Sequence, residues 1–124
     1  MGEPVPDTLT PAQVGRFLMG LARRLDELVA EFKQLGEQVA VTKRNAAVAQ
    51  ARAFIESGAE KRTVPERQAY ATVAAADAQF EADLAKAQHD ACREAIRALH
   101  ARLDVGRTLS ATSREEMRMA GGPQ

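Results

Sequence analysis

Tryptophan is absent from this sequence of 124 residues, and aromatic residues make up only 4% of it. The scarcity argues against a compact core built around aromatic side chains. Extended helix-on-helix packing suits the alanine, leucine and long polar residues that are abundant here. Cys92 is the single cysteine, which excludes a disulfide within the chain and is typical of a reducing compartment.

An excess of one charge sign and a long apolar run are also missing. The chain has 17 basic and 17 acidic residues, so it has no global positive field that would attract nucleic acid or anionic lipid. No apolar run approaches the roughly 20 residues that a membrane-spanning helix needs. The N-terminus lacks the pattern of a signal peptide. These absences predict a cytoplasmic protein, and the length predicts one domain.

The first half of the chain contains an unbroken heptad repeat. Its members follow one another at alternating steps of four and three residues, the spacing of a helix that packs along one stripe. They are large up to Val39 and small from Thr42 onward. The repeat consists of Val14, Leu18, Leu21, Leu25, Leu28, Phe32, Leu35, Val39, Thr42, Ala46, Ala49 and Ala53.

Capping signals set the bounds of the first predicted helix. Thr10 is a natural N-cap, Pro11 suits the first helical position, and Gln13 completes a capping box. The pair at positions 57 and 58, Ser-Gly, is a typical helix end. The sequence therefore predicts a helix over residues 11–57, preceded by a flexible tail of residues 1–10.

A second capping box, from Thr63 to Glu66, predicts a second helix over residues 64–119, followed by a frayed end over 120–124. Gly106 and the serines and threonines behind it allow a break near residues 106–113, but the heptad continues through them and favours an unbroken helix. Because the connection is short, we expect an all-α fold: a long antiparallel helical hairpin that assembles into a helical bundle.

The hairpin places residues opposite each other when their numbers sum to about 121, if the turn lies near residue 60. Gly106 should then lie near Val14 and Phe17, and the alanines from Ala46 to Ala53 should face residues 69–76. The apolar set of the second helix contains a run of steps of four, which is a stutter. That set reads Val73, Phe80, Leu84, Ala87, Ala91, Ala95, Leu99 and Leu103.

The first helix is apolar well beyond its heptad stripe near its beginning. One facing helix could not cover this Leu/Phe surface, so we expect self-association, with a dimer favoured, and binding of a protein partner. Alternatively, the C-terminal segment folds back at Gly106 and covers the surface with Leu109 and Met117. The Leu/Phe surface consists of Phe17, Leu18, Leu21, Leu25, Leu28, Val29 and Phe32.

Signals for catalysis, cofactors and metal ions are weak. His89 and Cys92 have the spacing to begin a zinc site, but further ligands at metal spacing are missing. The chain contains no glycine-rich phosphate loop, and Ser110 and Ser113 are explained as helix caps. The sequence therefore predicts no catalytic, cofactor-binding or metal-binding residue, and a protein that is not an enzyme.

Basic residues give the alternative hypothesis, a nucleic-acid accessory factor in recombination or replication. Some gather at the predicted turn, and others line the second half of the second helix, where they could contact phosphates. Solvated helix faces and compensation of helix-end dipoles are the ordinary explanations of such residues. The candidate contacts are Arg52, Lys61, Arg62, Arg67, Arg93, Arg97, Arg107, Arg114 and Arg118.

Three segments resemble a group of small helical proteins encoded by actinobacterial phages and prophages. They are Pro-Ala-Gln-Val-Gly-Arg-Phe-Leu-Met at 11–19, Leu-Asp-Glu-Leu-Val-Ala-Glu at 25–31 and Arg-Leu-Asp-Val-Gly-Arg-Thr-Leu-Ser at 102–110. The resemblance implies a phage origin and a place in the cytoplasm of the host cell. It assigns no catalytic or binding residue. A virion-assembly helper is a third hypothesis for such a protein.

Overall fold

The computed structural model describes residues 10–60 and 62–121. Helix α1 spans Pro11–Ser57, a 3-10 turn follows at Gly58–Glu60, α2 spans Val64–Ala74 and α3 spans Ala76–Ala120. The two long helices, α1 and α3, pack against each other, which confirms the predicted all-α helical hairpin. Within the described ranges, no helix is long and apolar enough to cross a membrane. The predicted tail (except Thr10) and the last residues of the frayed end lie outside those ranges.

The N-cap residues of both predicted capping boxes are found at helix starts, and the first box has both of its hydrogen bonds. Thr10 Oγ1 accepts a hydrogen bond from Gln13 N at 3.2 Å, and Gln13 Oε1 accepts one from Thr10 N at 2.9 Å. At the start of α2, Thr63 has extended backbone angles and its Oγ1 accepts from Glu66 N at 3.4 Å. These bonds satisfy backbone N–H groups that have no partner within the helix itself, and they explain why the helices begin where they do.

The second predicted helix is interrupted once, at Ala75. This residue has φ −95° and ψ 5°, outside the helical range, and separates α2 from α3. The interruption is short, because Ala75 N still donates to Ala71 O at 3.0 Å and Gln79 N donates to Ala75 O at 2.9 Å. Beyond it, α3 runs through Gly106 to Ala120 without a break, so the second helix takes the continuous form at residues 106–113.

Packing divides the chain into two units. Unit 1 contains the chain up to Val29 and from Glu94 onward, and unit 2 contains Ala30–Arg93. In both units the heptad repeat of α1 forms the seam, as predicted, since every member is buried or half-buried. Val14 and Leu28 are buried in unit 1, and Ala46 and Ala53 are buried in unit 2.

The predicted stripe of the second helix is wrong up to Ala95. Val73 and Phe80 are 77% and 63% exposed, and Ala87, Ala91 and Ala95 also face outward. The positions of the observed seam are spaced by four and three residues in strict alternation, with no stutter. Small side chains occupy its first part, where they fit opposite the alanines of α1. Its members are Ala71, Ala75, Ala78, Ala82, Ala85, His89, Cys92, Ile96, Leu99, Leu103, Gly106 and Ser110.

Gly106 lies against Phe17 and Leu18 in unit 1, as the hairpin alignment predicted for Phe17. A Cβ atom at this position would overlap Leu18 Cδ2 and lie 3.9 Å from Phe17 Cε1. The glycine is buried on the seam of α3. The missing side chain therefore makes room for a bulky pair on α1.

Gly36 is a helical glycine of a different kind, and Gly36→Ala is expected to stabilise the protein. A Cβ there would make ordinary contact with the His89 ring at 3.9 Å. Removing the backbone freedom of glycine inside a helix should raise the free energy of unfolding by about 0.5–1 kcal/mol. Urea denaturation followed by circular dichroism measures the change. Gly106→Ala is the matched control, because its Cβ overlap with Leu18 should cancel the gain. A fall in stability for Gly36→Ala would contradict the packing assigned to His89.

Candidate interaction surfaces

The Leu/Phe surface is only partly covered in unit 1. Phe17, Leu18, Leu21 and Leu25 are half-buried, although each lies on the side of α1 that faces α3 or next to it. Val29 is 52% exposed. A single neighbouring helix thus leaves apolar atoms of this surface accessible, which is typical of a surface that binds another protein.

Two members of the predicted surface have other roles. Leu28 is only 5% exposed, so it belongs to the seam and not to an accessible surface. Phe32 lies in unit 2, where its ring stacks on the His89 ring with centroids 4.4 Å apart and an interplanar angle of 26°. The accessible part of the Leu/Phe surface in unit 1 therefore consists of Phe17, Leu18, Leu21, Leu25 and Val29.

The C-terminal segment does not fold back over unit 1. Helix α3 continues past Gly106 to Ala120. Leu109 and Met117, the side chains that would have covered the Leu/Phe surface, are 39% and 60% exposed. The alternative in which this segment completes the monomer is therefore wrong.

Arg67 lies in the first turn of α2, next to the hairpin turn, and its guanidinium is directed toward the end of α1. Its Nε and Nη2 atoms donate to Phe54 O at 3.3 and 2.9 Å, and its guanidinium lies 4.1 Å from the centre of the Phe54 ring. Ser57 Oγ donates to the same carbonyl at 2.7 Å. This carbonyl lies in the last turn of α1, where no further helical N–H can reach it. Gly58 leaves the space that the guanidinium occupies.

Arg62 is also engaged near the turn. It forms an ion pair with Glu60, and its guanidinium lies 4.6 Å from the centre of the Tyr70 ring. The Arg62 guanidinium therefore occupies one face of the Tyr70 ring, and a nucleic-acid base could not stack on that face. Lys61, the third predicted contact at the turn, lies outside the described residues.

Most predicted arginine contacts on α3 are paired with acids on the same helix. The pairs are Arg93–Asp90, Arg97–Glu94, Arg107–Asp104 and Arg118–Glu115. Exposed pairs of this kind contribute little to stability. They do place a negative charge beside each cation, which lowers the local positive potential. Arg52 and Arg114 are exposed and have no ion pair among the described residues.

His89 and Cys92 both lie on the seam. Cys92 is buried, and His89 stacks on Phe32 while its Nδ1 atom lies 3.2 Å from Asp90 Oδ1. The hydrogen bond with His89, followed by the charge and hydrogen bond of Arg93, lowers the pKa of Asp90 below its ordinary value. Across residues 10–60 and 62–121, no group of three or more His, Cys, Asp or Glu side chains could hold a metal ion.

Unit 2 carries an outward apolar surface that the sequence interpretation missed. Val41, Val48 and Ile55 are spaced by seven residues on α1 and are 55%, 37% and 72% exposed. Phe80 lines a shallow groove with Gln50, and Ile55 lines another groove that also includes Gln50. The seven-residue spacing of these three side chains could have predicted this surface from the sequence. The sequence interpretation used only the longer heptad repeat of α1.

Comparisons with protein-family models, with curated proteins and with solved structures give no match to this chain.

Proposed function

We propose that this protein is a non-enzymatic helical interaction protein that self-associates and binds a protein partner through the accessible part of the Leu/Phe surface. The observation that supports the proposal most directly is the half-burial of Phe17, Leu18, Leu21 and Leu25 against a single helix. Because the described part of the C-terminal segment does not cover them, we infer that a second subunit or another protein supplies apolar cover. In this proposal the protein acts in the cytoplasm of a phage-infected or prophage-carrying cell.

Binding of nucleic acid has less support. Arg67 donates to a backbone carbonyl, and Arg62 and most of the α3 arginines have acidic neighbours within a few residues. Phosphate contacts need cations whose charge is available to the ligand. Of the predicted contacts that the structure describes, Arg52 and Arg114 come closest to this condition, and they do not form a cluster in the sequence.

Val29→Asp tests the proposed surface. The side chain is 52% exposed, so a charge there should leave the helical hairpin intact while it disrupts apolar association. We expect the dissociation constant for self-association to rise at least about tenfold, the loss that about 1.4 kcal/mol represents. Sedimentation equilibrium at micromolar concentration measures it, and circular dichroism reports the helix content.

Val105→Asp is the matched control for this experiment. Val105 is a 60% exposed valine of unit 1 on α3, outside the Leu/Phe surface. It should assemble like the parent chain and capture the same proteins from cells. The proposal fails if the parent protein is a monomer that captures no protein, or if Val29→Asp matches Val105→Asp in both measurements.

A further inference from the structure

Unit 2 displays a second apolar stripe on the other side of its seam. In α2 and α3, Val73 and Phe80 are seven residues apart and 77% and 63% exposed, and Leu84 follows four residues later at 42%. Together with Val41, Val48 and Ile55 on α1, unit 2 thus exposes two stripes of large apolar side chains. We name them the α1 stripe and the α2–α3 stripe. The seam does not use either stripe, since it is built from other positions.

The charges beside these stripes have opposite signs. Between positions 38 and 55 of α1 every charged residue is basic: Lys43, Arg44 and Arg52. Between positions 68 and 85 every charged residue is acidic: Asp77, Glu81 and Asp83. Glu37 and Glu56 lie just outside the first range, and Arg67 and Lys86 lie just outside the second. The central part of the α1 stripe is therefore accompanied by basic residues, and the central part of the α2–α3 stripe by acidic residues.

These charges are not used by ion pairs within the described part of the hairpin. The ion pairs formed there join residues at most three positions apart, and no pair involves any of the six side chains. Asp83 accepts a hydrogen bond from Gln79 at 3.0 Å, which leaves its charge in place. Opposite charges next to apolar stripes are what complementary helical surfaces use to select a partner and an alignment.

We propose that unit 2 contains a second self-association surface, in which the α1 stripe of one copy packs against the α2–α3 stripe of another copy. The occupant is a second copy because this chain carries both complementary halves on one unit. Each copy then offers both halves of the contact to other copies. The inference does not depend on the Leu/Phe surface, which uses other residues in unit 1.

A charge-swap experiment tests this pairing in full-length protein that also carries Val29→Asp, which weakens association through the Leu/Phe surface. The first variant carries Lys43→Glu, Arg44→Glu and Arg52→Glu, and the second carries Asp77→Lys, Glu81→Lys and Asp83→Lys. Each variant alone should self-associate at least about tenfold more weakly at low salt, because like charges then meet. An equimolar mixture should regain assembly as a heterodimer. Sedimentation equilibrium with one labelled variant measures both.

A second set of variants guards against misfolding, because each charge reversal also changes the field between the helices of the hairpin. Ile55→Ser with Phe80→Ser replaces side chains that are 72% and 63% exposed, so the fold should persist while assembly weakens. Val105→Ser, in unit 1, is the control and should assemble normally. The proposal is overturned if the Val29→Asp protein is a monomer, if the mixture regains no assembly with folded variants, or if the serine pair assembles like the control.

Discussion

Leu28→Asp is expected to remove most of the stability of the helical hairpin. Leu28 is 5% exposed on the seam of unit 1. Truncating a buried leucine to alanine costs about 2–5 kcal/mol, and a buried carboxylate without a partner adds a further penalty. Since small domains are stable by only about 5–15 kcal/mol, we expect loss of cooperative unfolding or a large fall in melting temperature. Thermal and urea denaturation followed by circular dichroism measure the effect.

The neighbouring residue supplies the control for this substitution. Val29 is 52% exposed, so Val29→Asp should change the free energy of unfolding of the dissociated chain by no more than about 0.5 kcal/mol. Leu28→Ala should give a value between the two. If Leu28→Asp and Val29→Asp were equally stable, the assignment of Leu28 to the seam would be wrong.

Arg67→Ala is expected to destabilise the hairpin turn by about 2–3 kcal/mol. The substitution removes two hydrogen bonds from a charged donor to Phe54 O and the contact of the guanidinium with the Phe54 ring. Bonds to charged groups contribute about 1.5–3 kcal/mol, and a partly desolvated cation–π contact adds about 0.5–2 kcal/mol. Chemical denaturation measures the loss, and amide hydrogen exchange near residues 54–67 should show where it occurs.

Arg67→Lys separates the geometry of this side chain from its charge. A lysine keeps the positive charge but cannot present a planar fork to one carbonyl while it stacks on the ring. It should therefore lose most of the stability that alanine loses. Arg52→Ala, on an exposed part of α1, should cost less than about 0.5 kcal/mol. Full stability of Arg67→Lys would show that the charge alone matters at the turn.

The architecture could be predicted from the sequence because several local signals agreed. The heptad repeat of α1 predicted the residues of its seam, and the capping signals at Thr10 and Thr63 predicted where the helices begin. A short connection between two such helices leaves few arrangements other than an antiparallel hairpin. Gly106 could be placed against Phe17 for the same reason, since the alignment follows from the position of the turn.

The seam of the second helix could not be found by size and hydrophobicity. Val73, Phe80 and Leu84 are more apolar than the alanines beside them, yet the alanines are buried. The choice depends on what lies opposite: small residues on α1 allow the two helices to approach closely, and closely spaced helices leave little room for a large side chain between them. The interruption at Ala75 had no local signal either, since alanine is the residue that most favours a helix.

The role of Arg67 was also beyond what sequence counting could show. From the sequence, the basic residues near the turn were candidates for phosphate contact, for solvated faces or for compensation of helix-end dipoles. The structure shows that the carbonyl of Phe54, in the last turn of α1, accepts from the Ser57 hydroxyl and that Arg67 is close enough to donate to it as well. Whether a cation faces outward or caps a helix end depends on distances that appear only after folding.

The missing side chain at Gly106 affects how the two helices of the hairpin are aligned with each other. A heptad pattern is periodic, so a slip of seven residues keeps apolar side chains facing each other. In unit 1, such a slip would place Leu99, instead of Gly106, against Leu18. Overpacking of this kind costs about 1–3 kcal/mol. A single missing side chain thus makes one alignment distinguishable from its repeats, and helps the folding chain to reject misaligned hairpins.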